Sequence, residues 1–162
     1  MKSTIGHSIK HRQKPNDDFY TPPELARECV RLVKPIGSIL DPCRGNGAFF
    51  NNLPRGTKYC ELKEGKDFYK FNEKIDWIIS NPPYSDLDKW LKHSFKLARK
   101  GVAYLLGINN LTARRLELAN HYGFGLTKMS MFKVFKWWGM SLFVVWEKGK
   151  KDIIKYNRKV WR

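Results

Sequence analysis

The chain has 162 residues, 42% hydrophobic and 14% aromatic, with 31 Lys and Arg against 15 Asp and Glu and a formal net charge of +16. That length and apolar content suit one domain with a real core and exclude a chain kept disordered by low hydrophobicity. No apolar run approaches the roughly 18 residues of a membrane-spanning helix, the basic N-terminus has no secretory pattern, and Cys29, Cys43 and Cys60 fit neither a disulfide framework nor a CxxC zinc site, so a reduced, cytoplasmic protein is expected.

Residues 1–17 lack periodicity and hold Lys2, Lys10, Arg12 and Lys14 before the first acid, Asp17, which predicts a mobile basic arm. Residues 21–34 read as a helix, with Thr21 as N-cap, Pro22 and Pro23 in the first turn, apolar Leu25, Cys29, Leu32 and Val33, and Pro35 as a stop. A short strand over 38–40 runs into a glycine-containing turn at 41–49 that is expected to open another helix. Strands are expected at 57–61 and 75–80, the second buried on both faces because Ile75, Trp77, Ile78 and Ile79 are nearly continuous. Ser85 and Asp88 resemble a capping box before a helix carrying Leu87, Trp90, Leu91, Phe95 and Ala98, ended by Lys100 and Gly101. A strand at 102–106, a helix from Thr112 to about residue 122, and β segments around 126–135 and 140–147 joined at Trp137-Trp138-Gly139 complete the pattern. The expected fold is α/β: a mostly parallel sheet with helices on both faces and an antiparallel strand from a C-terminal hairpin. The expected domain covers 18–147, followed by a basic tail at 148–162.

Charge is unevenly placed. Residues 1–88 carry 14 basic and 12 acidic side chains, whereas 89–162 carry 17 and 3. A polyanionic partner explains such an excess better than solubility alone, and nucleic acid is favoured over an anionic membrane surface because no basic amphipathic helix with a broad apolar face is present.

Two loops fall at strand ends, where open α/β sheets bind ligands. In the first, Gly45 and Gly47 allow a tight turn against a ligand, and Asp41 offers a carboxylate to a cationic group; an ordinary strand-to-helix turn is the competing reading. The second, Asn81-Pro82-Pro83-Tyr84, is poorly explained by stability, because proline cannot extend a sheet. It supplies the Asn81 side-chain carbonyl and the Pro82 backbone carbonyl as two acceptors beside an aromatic ring, which suits a planar NH2 group. Its competing reading is a proline turn whose Tyr is core.

Asp-Pro-Cys-Arg-Gly-Asn-Gly-Ala-Phe at 41–49, Asn-Pro-Pro-Tyr at 81–84 and Asp-Phe-Tyr-Thr-Pro-Pro at 18–23 resemble motifs I, IV and X of the S-adenosylmethionine-dependent N6-adenine DNA methyltransferases. The resemblance spans roughly 17–147 and implies a Rossmann-like class I methyltransferase fold. It further implies that Tyr20, Thr21 and Pro22 line the methionine end of the cofactor, that Asp41 binds its amino group, that Pro42 and the loop backbone through Gly45 and Gly47 belong to the cofactor site, the loop passing beneath it, that Glu61 holds the ribose, with Glu64 as substitute, and that Asp67 and Phe68 meet its adenine. Asn81, Pro82, Pro83 and Tyr84 would carry catalysis on an adenine flipped out of the duplex, with Tyr84 stacked on it. Only five residues separate Glu61 from Asp67, so the usual intervening helix and third strand are expected to be trimmed.

A second aromatic wall is expected from Phe135, Trp137 and Trp138 in a basic hairpin with Lys133 and Lys136, although a Trp pair also serves hairpin packing. Arg114 and Arg115 are candidates for phosphate, a solvated helix face being the alternative. Cys43 is discounted as a nucleophile because no suitable His accompanies it, His93 is expected on an exposed helix face, and His7, His11, His93 and His121 have no metal-ligand spacing, so no metal is expected. The alternatives to DNA methylation are methylation of an RNA base or a protein glutamine, and a silent nucleic-acid binder on the same fold. With 13 residues between Asp67 and Asn81, no separate target-recognition region is expected. Sequence choice would then be slight, or supplied by a specificity partner or homodimer.

Overall fold

The computed structural model describes residues 20–133 and 140–156. In chain order these form α1 (Pro23–Val33), β1 (Ile39–Asp41), β2 (Lys58–Tyr59), β3 (Ile75–Ser80), α2 (Leu87–Leu97), β4 (Ala98–Gly107), α3 (Ala113–His121), β5 (Phe124–Phe132) and β6 (Ser141–Lys148), with 3-10 turns at Phe50–Asn52, Leu62–Glu64, Phe68–Lys70 and Ile108–Asn110. The sheet order is β2-β1-β3-β4-β6-β5. β1 pairs in parallel with β2 and β3, and β3 with β4, while β6 runs antiparallel between β4 and β5.

Side chains alternate between two cores. On one face α1 buries Ala26, Cys29 and Val33 against Ile39, Trp77, Ile79, Ala103 and Phe143. On the other, α2 and α3 cover Ile78, Val102, Tyr104, Leu142 and Trp146. Leu87, Trp90, Leu91 and Phe95 of α2 fall on one helical stripe and are all buried; each such side chain stabilises the fold by about 1.5–3 kcal/mol. β3 has the expected bounds and is buried along nearly its whole length.

Several expectations fail for identifiable reasons. Thr21 does not cap α1: Pro22 holds the N-cap position, and the Thr21 hydroxyl accepts a hydrogen bond from Asn81. No α-helix follows β1, because Gly47 sits at φ 87° and only six residues separate it from Pro54, enough for one 3-10 turn. The Ser85–Asp88 box does not form. Asp86 is the N-cap without a side-chain bond, and the Asp88 carboxylate faces α3 instead. α2 stops at Leu97 and β4 begins at once, since Ala98 pairs with Ile75. Gly101 is therefore a strand residue, needed because the Trp77 ring lies where its Cβ would be, 2.2 Å from an ideal position. Residues past β6 dock as well: Asp152 accepts from the Leu126 amide and the Asn120 side chain, and the Ile153 amide donates to Leu126 O. Thr112 does cap α3, accepting from the Arg115 amide.

Candidate active site

The strand order reverses between β1 and β3, since β2 lies outside β1 on one side and β4 outside β3 on the other. A crevice opens at the carboxyl ends of strands that diverge in this way. Here it has a volume of about 500 Å³, with Thr21, Asp41, Gly45, Glu61, Asp67 and Asn81 among its lining. The cleft therefore collects residues from all three motif segments.

Asp41, the last residue of β1, is only 1% exposed. Its Oδ1 accepts from the Ser80 hydroxyl at 2.6 Å and from the Cys43 amide at 3.3 Å, while Oδ2 has no hydrogen-bond partner. Burial pushes its carboxyl up to about 6, against the Ser80 hydroxyl and the Cys43 and Phe50 amides, which pull it down. A buried, half-satisfied carboxylate bordering a cleft is a receptor for a cation.

The glycine loop completes this wall. Gly45, at φ 54°, donates its amide to Glu61 Oε2 at 2.7 Å, and the Tyr20 ring lies in van der Waals range of the place a Gly45 Cβ would take. Glu61 Oε1 also accepts from the Lys63 amide, so its carboxylate is held at the rim. Glu64, the alternative, lies outside the lining of the cleft, with Arg44 and the Tyr59 hydroxyl each 2.9 Å from its carboxylate. Asp67 caps the 3-10 turn at Phe68–Lys70 through the Tyr69 amide. Phe68 borders the cleft but is 3% exposed, stacked on Trp90 with ring centroids 4.7 Å apart. His93 is half-buried rather than exposed, its Nε2 lying 3.0 Å from both Phe68 O and Phe71 O and so bracing that turn.

On the opposite wall Asn81 follows β3 directly. Its Nδ2 donates to Thr21 Oγ1 at 3.2 Å, and its Oδ1 accepts from the Tyr84 hydroxyl at 3.2 Å. The Cys43 thiol donates to Asn81 O at 3.2 Å. Burial pushes that thiol well above its ordinary range, so it is a protonated tie between the two loops and not a nucleophile. Pro42 and Pro83 border the cleft, whereas Pro22, Gly47, Pro82 and Tyr84 lie outside its lining. Tyr84 packs near Gly107.

The nucleic-acid candidates divide. Phe135, Lys136, Trp137 and Trp138 lie outside the described residues. Lys133 is exposed at the end of β5, and Arg114 is exposed with Asp88 3.4 Å away. Arg115 is spent structurally: its Nε donates to Asp88 at 2.6 Å and its NH1 to Asn110 O at 2.7 Å, tying α3 to α2.

Sequence reasoning missed Ser80, Leu62, Tyr69 and Trp90, all of which border the cleft. Leu62 is 74% exposed, an apolar side chain left in solvent directly after Glu61. For Ser80, its place between a buried strand and Asn81 was the available signal.

Protein-family models and curated proteins give no match to the sequence. Solved structures do. Magnesium protoporphyrin IX methyltransferase from Synechocystis PCC 6803 with bound SAM aligns at a TM-score of 0.64 and 11% identity, over 78% of this chain and 79% of that one. A methyltransferase from Pyrococcus furiosus aligns at 0.56 and 16%, over 88% and 94%. Ribosomal protein L11 methylase from Lactobacillus delbrueckii subsp. bulgaricus aligns at 0.57 and 10%, over 78% and 77%. The fold is that of class I S-adenosylmethionine-dependent methyltransferases. A porphyrin and a ribosomal protein are named as targets within this small set, so the fold alone does not choose a substrate.

Proposed function

We propose that this protein transfers a methyl group from S-adenosylmethionine to the N6 amine of adenine in nucleic acid, DNA being the favoured form. The observation that carries the reading is the meeting of two loops in one cleft. Asp41, the last residue of β1 and with a free buried oxygen, and Asn81, directly after the neighbouring β3 and beside two prolines, are linked through Ser80 and Cys43.

The residues present fit the cofactor. Asp41 Oδ2 would take its ammonium, the Glu61 carboxylate its ribose hydroxyls, and exposed Leu62 with the Asp67–Phe68 turn its adenine, while Gly45 keeps the loop backbone free of a Cβ beneath it. When bound, the cofactor supplies a sulfonium-activated methyl group. The chain supplies position and polarity. Asn81 Oδ1 and Pro82 O would accept the two hydrogens of the amine, drawing a nitrogen whose lone pair is delocalised into the ring toward tetrahedral geometry. The second lone pair of Asn81 Oδ1, beside the one that takes the Tyr84 hydroxyl, is open to the amine, and the Tyr84 ring would stack on the base.

The basic excess at 89–162 supports a polyanionic substrate. Incubation with labelled S-adenosylmethionine and DNA, RNA or protein, followed by nucleoside analysis, tests the reading: N6-methyladenine from DNA is expected. Label in a protein glutamine, or cofactor binding with no transfer, overturns it, and label confined to RNA corrects the favoured form.

A further inference from the structure

Between α2 and α3 the molecule carries a second groove, of about 630 Å³. α2 contributes Asp88, Lys89 and Lys92 to its lining, and α3 contributes Arg114, Arg115 and Glu117. Resting on the reading above, we infer that this groove docks the phosphodiester backbone of the substrate nucleic acid beside the cleft, with Lys89, Lys92 and Arg114 as the phosphate contacts.

Topology puts the groove next to the cleft. α2 follows β3 and α3 follows β4, and those strands are parallel, so both helices start at the carboxyl end of the sheet, where the cleft opens. α2 is the ridge between the two. Its Trp90 and the preceding Asp86 border the cleft, while Asp88, Lys89 and Lys92 border the groove. Lys89 bridges them, because its Nζ lies 4.1 Å from the centroid of the Tyr69 ring and Tyr69 borders the cleft. A base held in the cleft stays joined to its flanking phosphates, and the groove offers their strand a charged path over this ridge.

The charge balance suits phosphate. Asp88 is met within the protein by Arg115 Nε at 2.6 Å and Arg114 NH2 at 3.4 Å. The Arg115 side chain is 17% exposed and that of Arg114 74%, and Lys89 and Lys92 are exposed as well. Of the three acids in 89–162, Glu117 alone borders the groove, Glu147 accepting from Thr127 and Asp152 from Asn120. Lys89 and Lys92 stand three residues apart on one helix face and so present neighbouring charges to a phosphate chain, whose attraction does not depend on base sequence. Leu118 and Tyr122 are the apolar members of the lining, too little for insertion into an anionic membrane.

Paired variants separate docking from general charge. Lys89→Gln with Lys92→Gln removes two charges from the groove, and Arg27→Gln with Arg31→Gln removes two from α1, on the opposite face of the sheet. Fluorescence anisotropy of a labelled, adenine-containing DNA duplex is followed across a salt series. For the groove pair the slope of log Kd against log salt is expected to be shallower by about two, and the affinity weaker by about tenfold or more. The α1 pair is expected to change both only slightly, and Lys89→Arg with Lys92→Arg to keep the parental values. Cofactor Kd from calorimetry is expected within about twofold of the parent throughout, and the groove pair to raise KM for DNA while keeping kcat. Equal losses in the two pairs, an unchanged slope in the groove pair, or a loss in kcat alone overturns the inference and leaves the proposed function standing. Groove-dependent DNA binding without methyl transfer overturns the proposed function and leaves the docking surface. Binding through the same lysines to phosphatidylserine vesicles and not to DNA overturns the inference.

Discussion

The two walls of the cleft differ in how they are held. The wall on β1 and β2 is made of turns whose members hold one another through polar contacts: Glu61 to Gly45, Glu64 to Arg44, and Glu61 to Lys66 through paired backbone bonds. Only the two residues of β2 lie in the sheet outside β1. The wall on β3 and α2 rests on Ile78, Leu87, Trp90 and Leu91, all in the larger core. A substitution on the second wall leaves a scaffold that many apolar contacts still determine, so its effect is read in chemistry. On the first wall binding and local order change together.

The largest expected effect tests the second wall. Asn81→Ala should lower methyl transfer by about a hundredfold or more while cofactor affinity and thermal midpoint stay close to the parent's; a variant retaining substantial rate would remove Asn81 from the mechanism.

Asp41→Asn should do the reverse on the first wall, abolishing cofactor binding in calorimetry while raising the melting temperature of the free protein. The carboxyl titrates at about 6 in the folded chain against an ordinary value of 3.8. Between those values the folded state binds more protons than the unfolded one, so the contribution of Asp41 to stability falls as pH rises through this window and is constant above it. Cofactor binding needs the carboxylate and should weaken as pH drops below about 6. The free protein and the complex should therefore show opposite pH trends between about 4 and about 6, which a thermal-shift series with and without cofactor would record.

Ser80→Ala removes the 2.6 Å bond that stabilises the ionised carboxylate. Cofactor affinity at neutral pH should fall a few-fold and recover as pH rises to about 8, whereas a loss independent of pH would mean that Ser80 acts through packing alone. The smallest effect is expected from Arg115→Ala. It should cost about 1 kcal/mol of stability, discounted for a partner carboxylate that is partly solvated, and leave unchanged the salt dependence of nucleic-acid binding measured by fluorescence anisotropy.

Legibility followed the same division. β3, the apolar stripe of α2 and the Thr112 cap could be read because burial and capping are local in sequence. The start of β4 at Ala98 could not, since four residues with no strand pattern are recruited by pairing with Ile75 and Trp77. Thr21 misled for a related reason: a hydroxyl before two prolines reads as a cap, but its partner lies 60 residues away. Asp41 and Asn81 could be named from their loops and Glu61 from the motif resemblance, while the Ser80 bond that favours the charged form of Asp41 depends on strand adjacency that only the fold reveals.

Between Glu61 and Asp67 the chain makes one 3-10 turn, closed by Gly65 at φ 75° and by two backbone bonds from Glu61 to Lys66. No strand of the sheet lies outside this segment among the described residues. The turn is therefore held by those two bonds and its side-chain ties and not by strand pairing. The brevity of this segment leaves that side of the cleft bounded by a single turn whose shape is set by contacts within a few residues.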